Sequence, residues 1–470
     1  MCPDVDEYMA SFTRFFHRSE GRALAESYVS GLLMDGERKS VEPMSERVNA
    51  SERSMQRLLS QVKWDEQGVL SAYQARMLAV TSDPMGIFLI DDTGFPKKGR
   101  ESVCVARQYR GATGKIDNCQ IGVSMTYMGQ GVAWPFGMEL YIPESWDDND
   151  AECLRRRIKT KMPNSARYRP KWRIALKLLD EAISMRAPHW AVVADGCYGD
   201  IPEFRKELVS RGKRYILGVH PDTLVFLEPP IVEPAPQPER KQGCPQRKAE
   251  IVAPIPEPVN VSTIGAAIAV DAWERLDIKR RSRNKPLVVE AVSLSVYPAH
   301  GWRNGDLHED VRLLIERRHL IKGKVELRYF FSNMPQAMPT LDLARLNNGR
   351  YWLEHDCQQL KEKLGLDHHE GRSWIGWHRH VLLTFLAYGY LLLIRLGQKK
   401  QQHQNAWGAW LHRQLALAKM PAHQNGCKGD NEPEGCRPAR YPPSNLSALE
   451  AGNERMASTL LCRDSIDNSY

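Results

Sequence analysis

The chain has 470 residues, more than one hydrophobic core usually organises, so two or three structural units are expected. A net charge of +8 and a sequence pI near 8.9 favour polyanionic partners without specifying them. Ten cysteines without a CxxC pair exclude a zinc knuckle or a redox motif and fit reduced thiols, while the acidic start MCPDVDEYMASF argues against a secretory signal. The longest apolar run, Val381 to Ile394, has 14 residues, too few to span a bilayer and enough for a buried core helix. The expected location is cytoplasmic.

Residues 1–82 read as helical, with apolar positions three and four apart in ALAESYVSGLLM and SMQRLLSQVKW and Ser51 as an N-cap. Such a front piece serves either as a DNA-end-binding domain or as a scaffold. The texture changes at Gly86, where IFLI makes a short apolar strand that ends in Asp91 and Asp92. Strands follow near Ser102–Tyr109 and Asn118–Tyr127, and AWPFGMELYIP adds an extended piece. Lys171–Met185 is an amphipathic helix, HWAVVAD a buried strand, Pro202–Val209 a helix and RYILGV a strand. Proline crowds 229–258, the signature of a linker or long loop, and strands resume at PLVVEAVSLSVY, DVRLLIER and VELRYFFS. Helical patterning returns over Leu341–Lys363 and Ser373–Leu396, before a polar stretch, 398–470, expected to fold little. The division is therefore 1–82 helical, 83–224 first part of a core, 225–340 a β-rich insertion, 341–397 second part of the core, and 398–470 a tail.

Asp91 and Asp195 end buried strands, where an unpaired negative charge is costly and a divalent cation would compensate it. Each alone is equally the mark of a turn or cap residue. In RYWLEHDCQQLK, Arg350, Glu354 and Lys361 are four and seven residues apart and share one helical face, so a carboxylate is flanked by cations suited to phosphate. An ordinary ion-paired face gives the same spacing. Cations also follow the first acids, at Lys97, Lys98, Arg100, Arg107, Arg110 and Lys115, and Leu154–Arg173 contains no acidic residue. The histidines of LDHHEGRSWIGWHRH lack cysteine partners at finger spacing and read as the lead-in to a helix rather than as a zinc site.

Four ordered blocks, DDTGFPKKG, ARQYRGATGKIDNCQIGVSMTY, ADGCYGD and RYWLEHDCQQLKEKLGLDHHEGRSWIGWHRH, resemble the signatures of insertion-sequence family 701 transposases over roughly residues 10–397. The resemblance implies an α/β, RNase H-like (retroviral integrase-like) mixed-sheet core, with the first Asp on the first strand, the second on the fourth and the Glu on a later helix. It implies catalytic and metal-binding roles for Asp91, Asp195 and Glu354. The Asp-x-Thr pattern favours Asp91, with Thr93, over Asp92, which remains the substitute. Arg350 and Lys361 match the cations of the family's helix signature, but Asn347 stands where the family carries Tyr. The implied cofactor is Mg²⁺ or Mn²⁺, two ions about 4 Å apart. The implied partners are double-stranded DNA (terminal inverted repeats and target) and a second copy of the chain in a homodimeric DNA complex, with Lys97, Lys98, Arg110 and Lys115 as further DNA contacts. The implied reaction is strand cleavage at a transposon end, then attack of the freed 3′-hydroxyl on target DNA. A nuclease without strand transfer and an inactive DNA-binding relative are the alternatives.

Overall fold

A computed structural model describes residues 4–418 apart from 111–113, 197, 234–249, 252–255, 279–286, 300–309, 320–324 and 350–359. The front of the chain is helical as expected: α1 (Val5–Ala10), α2 (Ser19–Leu33), α3 (Val41–Arg47), α4 (Glu52–Ser60) and α5 (Glu66–Thr81). Ser51 does cap α4, its side chain accepting from Ser54 N, and Asp65 caps α5 through Gly68 N.

Five strands form the heart of the sheet: β1 (Ile87–Pro96), β3 (Lys115–Gly129), β4 (Val132–Leu140), β5 (Ala191–Ala194) and β6 (Arg214–Val219). Their spatial order is β4-β3-β1-β5-β6. The first three run antiparallel, whereas β1, β5 and β6 run parallel. This is the RNase H-like arrangement. The parallel pairs need crossovers, supplied after β4 by α6 (Ala151–Lys159) and α7 (Lys171–Ser184) and after β5 by α8 (Pro202–Ser210). Ile87 to Ile90 and all of β5 are buried, which explains their unbroken apolar sequence.

One expectation changes. The strand read near Ser102–Tyr109 is β2 (Ala106–Arg110), and it does not belong to the five. It pairs only with the far end of β3, Lys115 to Cys119, making a hairpin arm. AWPFGMELYIP supplies the third heart strand instead.

Beyond β6 the chain adds β7 (Leu224–Phe226), the short pair β8 (Val232–Glu233) and β9 (Glu250–Ile251), then β10 (Val259–Asn260) and α9 (Val261–Ala267). β11 (Glu274–Ile278), β12 (Leu287–Pro298), β13 (Val311–His319) and β14 (Val325–Ser332) follow. β14 pairs antiparallel with β6, and β13 and β12 follow outward, so the strands between 225 and 340 lengthen the central sheet. Most of the proline-rich stretch lies outside the described residues.

The sheet's two faces are covered differently. Phe88, Ile90, Val192, Ala194, Tyr215 and Leu217 join a large apolar cluster with the N-terminal helices, α7, α8 and α11 (Trp374–Ala418). Ile87, Leu89, Ala191, Val193, Ile216, Leu314 and Phe330 meet Leu343 and Ala344 of α10 (Thr340–Asn348) on the other face. The stretch Trp374–Gly397 is long and apolar enough to cross a membrane, yet most of it is buried against the rest of the protein, which makes it a core helix.

The polar tail expected from 398 needs correction, because α11 continues through Ala418. Gln, Lys, Ala and Leu there favour helix, and the first proline after 397 is Pro421. Residues 419–470 lie outside the described part, as do seven of the ten cysteines; Cys104, Cys119 and Cys153 are buried.

Candidate active site

The register brings two of the three expected acids together. Ile90 of β1 lies opposite Ala194 of β5, so Asp91 and Asp195 are the next residues on two parallel neighbours, with backbones about 5 Å apart. Leu89 and Val193, two positions earlier, share the α10 face, and alternation puts both acids on that face too. Both are half-buried.

Local geometry fixes each one. Ser124 of β3 is opposite Asp91, and its Oγ donates to the Asp91 carbonyl at 3.0 Å. After Asp195 the chain turns over β6. Gly199 N donates to Gly218 O at 3.0 Å, and a side chain on Gly218 would meet Gly196 N at 2.7 Å. Glycine is therefore required at Gly218 for the turn that presents Asp195. Gly196 N donates to Asp195 Oδ1 at 2.6 Å, which holds the carboxylate against the turn.

Asp92 has a different task. One residue along the strand, it faces the large cluster, where Lys171 Nζ donates to it at 2.7 Å and Tyr198 Oη at 2.9 Å. These bonds tie β1 to the start of α7 and to the turn after Asp195. Neither Lys171 nor Tyr198 stands out in the sequence; Tyr198 lies inside ADGCYGD, but nothing in the spacing pairs it with Asp92, 106 residues away.

Glu354 and Arg350 lie outside the described residues. Lys361 sits half-buried between the buried Leu360 and Leu364. Lys97 is half-buried past the end of β1, with Nζ donating to the His369 carbonyl, and burial lowers its pKa; Lys98 is exposed. Arg110 and Lys115 are cross-strand partners on the hairpin arm, next to Tyr109 and Ile116, a facing pair about 60% exposed.

The acid-free stretch Leu154–Arg173 is partly neutralised from elsewhere. Arg155 and Lys159 pair with Glu101, Arg167 with Asp147 and Arg169 with Glu139. Arg157 is buried and donates to the carbonyls of Trp146, Pro163 and Ala166.

The histidines are structural in their surroundings. His380 Nδ1 bonds Tyr28 Oη at 2.9 Å, its ring stacks on His369, and burial pushes its pKa down to about 4. Among the described residues no group of three His, Cys, Asp or Glu side chains could hold a metal. Asp91 and Asp195 supply two hard oxygen donors on one face, the chemistry a Mg²⁺ or Mn²⁺ ion requires, and fit such a group if a third acid joins them.

An RNase H-like sheet carrying an acid midway along its first core strand, beside a second acid just past the end of the fourth, defines a class of nucleic-acid-processing folds. Within it, residues 11–285 match the family model described as DDE superfamily endonuclease, and the chain belongs to that family. The match includes Asp91 and Asp195 and ends before Glu354. The chain is also similar to a probable transposase for insertion sequence element IS701 from Microchaete diplosiphon, at 26% identity over 227 residues. That similarity covers 48% of this chain and 56% of the relative.

Proposed function

We propose that the protein is an insertion-sequence DNA transposase that cuts the ends of its element and joins them to target DNA. The adjacency of Asp91 and Asp195, just past the last paired residues of two parallel strands, carries this reading, with the likeness to a probable transposase in support. Glu354 is proposed as the third ligand. The chain leaves Gly349 close to Ile87 Cδ1, four residues before Asp91 on the same strand. Those four residues of strand span about 13 Å, and the five from Gly349 to Glu354 span about 8 Å as helix and about 17 Å extended, so the carboxylate is within reach.

Bound together, two divalent cations would activate the attacking oxygen and stabilise the leaving one. The protein's part is to hold them. Asp91, Asp195 and Glu354 would hold the ions through their carboxylates. Arg350 and Lys361 position the scissile strand, and Lys98, Arg110 and Lys115 meet flanking phosphates. Lys97, turned toward His369, supports the loop instead. Asp92 keeps β1 in place through Lys171 and Tyr198 and is not a substitute ligand. The DNA-bound form is a dimer, acting at the nucleoid.

The test uses purified full-length protein, DNA carrying the element's ends, and Mg²⁺. Asp195→Ala is expected to abolish cleavage and spare end binding; cleavage retained by the variant contradicts the assignment. A precleaved end then separates a transposase, which joins it to target, from a nuclease, which does not.

A further inference from the structure

We infer that Glu316 is a positioning residue for the third acid, acting through Asn347 and Asn348; the inference rests on the metal site proposed above. Glu316 lies on β13, on the α10 face, with no exposed surface. Its Oε1 accepts from Asn347 Nδ2 and from Asn348 Nδ2, each at 2.7 Å, and its Oε2 accepts from Arg318 Nη2 at 3.0 Å. Arg318 also donates to Asn348 Oδ1 at 2.9 Å, and Asn348 Nδ2 to Ala344 O at 2.8 Å.

A carboxylate this deep is costly unless paired and hydrogen-bonded, and here both conditions are met by one ion pair and two amides from the last turn of a nine-residue helix. Apolar packing alone, from Leu343, Ala344 and Leu346, would let so short a helix slide or rotate. Directional, charge-assisted bonds to two successive side chains fix its register and heading. Gly349, the next residue, is pressed against the paired strands β3 and β1: a side chain there would meet Met128 Cε of β3 at 2.8 Å and Ile87 Cδ1 of β1 at 3.3 Å. The clamp thus anchors the chain between β13 and β1 directly before Arg350 and six residues before Glu354.

The experiment compares full-length wild type, the double variant Asn347→Ala/Asn348→Ala, Glu316→Gln and Asp195→Ala. The double variant removes the tether and leaves the Glu316–Arg318 pair intact; Glu316→Gln keeps the shape and one acceptor if the buried site tolerates no larger change. Mn²⁺ affinity without DNA, affinity for an end duplex, cleavage kcat and thermal unfolding are measured for each. Mn²⁺ affinity and kcat of the double variant are expected to fall about tenfold, those of Glu316→Gln by less, with duplex affinity unchanged. Folded variants that bind Mn²⁺ and cleave like wild type, whatever their melting temperature, overturn the inference. Wild-type Mn²⁺ binding that is insensitive to Asp195→Ala would instead overturn the metal site itself.

Discussion

The two faces of the central sheet divide the protein's work. One carries most of the large buried aromatics, Phe88, Tyr127, Trp134 and Phe136 among them, beneath α5, α7 and α11. The other is covered in the described part by α10 over small and medium side chains, Ala191, Ala291, Val193 and Leu314. Asp91 and Asp92 straddle this division. Neighbours in sequence, they point to opposite faces: Asp92 is spent on a lysine and a tyrosine that brace the fold, and Asp91 stands beside Asp195. Strand alternation, with a period of two, is sufficient to give adjacent identical residues unlike roles.

The sharpest way to break the comparison is to neutralise each acid in turn. Asp91→Asn is expected to lower metal-dependent cleavage by about three orders of magnitude or more, since it removes a ligand to the charge that stabilises the transition state. Asp92→Asn is expected to cost less than about tenfold in rate and about 1 kcal/mol or less in stability, because its partner Lys171 is one-third exposed. Equal losses in the two variants would erase the division.

Truncations in the two covers come next. Leu383→Ala in α11 and Leu343→Ala in α10, both fully buried, should each lower unfolding free energy by about 3 kcal/mol, read from denaturant midpoints. Only the second should also lower cleavage by folded protein, because only α10 leads into Arg350 and Glu354.

Acid sharpens the contrast on the face that holds the fold. His380 is buried and neutral, with its pKa pushed down to about 4 from an ordinary value of 6.5. A depressed pKa means that the unfolded chain takes up the proton first. The stability is therefore complete above pH 6.5 and is lost as pH falls toward 4, by about 3 kcal/mol in all, and His369, also lowered by burial, adds in the same direction. A melting temperature flat between pH 7 and 4.5 would contradict this, and His380→Gln should blunt the slope.

The smallest effect belongs to the hairpin arm. Arg110→Ala with Lys115→Ala should reduce the salt dependence of DNA binding by about one unit of slope for each phosphate the arm no longer neutralises, with cleavage at saturating DNA unchanged. An unchanged slope would take the arm out of the DNA interface.

Elements governed by local pattern are legible in the sequence: the helical front, the AVVA strand with its acid at the end, α7, α8 and RYILGV all fall where periodicity puts them, whereas the IFLI strand, read as ending at Asp91 and Asp92, runs on through both to Pro96 because β3 pairs with it along that length. Pairing is not legible. Whether β2 joins the heart of the sheet or stands out as an arm depends on hydrogen bonds between strands, to which its own sequence is indifferent. That β14 pairs with β6 is equally hidden, as are the acids, Glu101, Glu139 and Asp147, that neutralise the basic stretch from outside it. The helix past residue 397 is hidden for another reason: polar composition alone does not separate a solvated helix from an unfolded tail, and only the helix-favouring residues and the delayed proline do. At the site, the strand-end acids can be found from sequence, and Asp92's partners cannot, since Lys171 is 79 residues distant and Tyr198 is 106.

The convergence of Asp91, Asp195 and Glu354 on shared cations is tested most directly by anomalous scattering from crystals of the full-length protein grown with Mn²⁺. The account predicts manganese peaks with carboxylate oxygens of all three residues at about 2.1 Å. Manganese bound by Asp91 and Asp195 with Glu354 more than about 10 Å away, beyond any coordination distance, would contradict it.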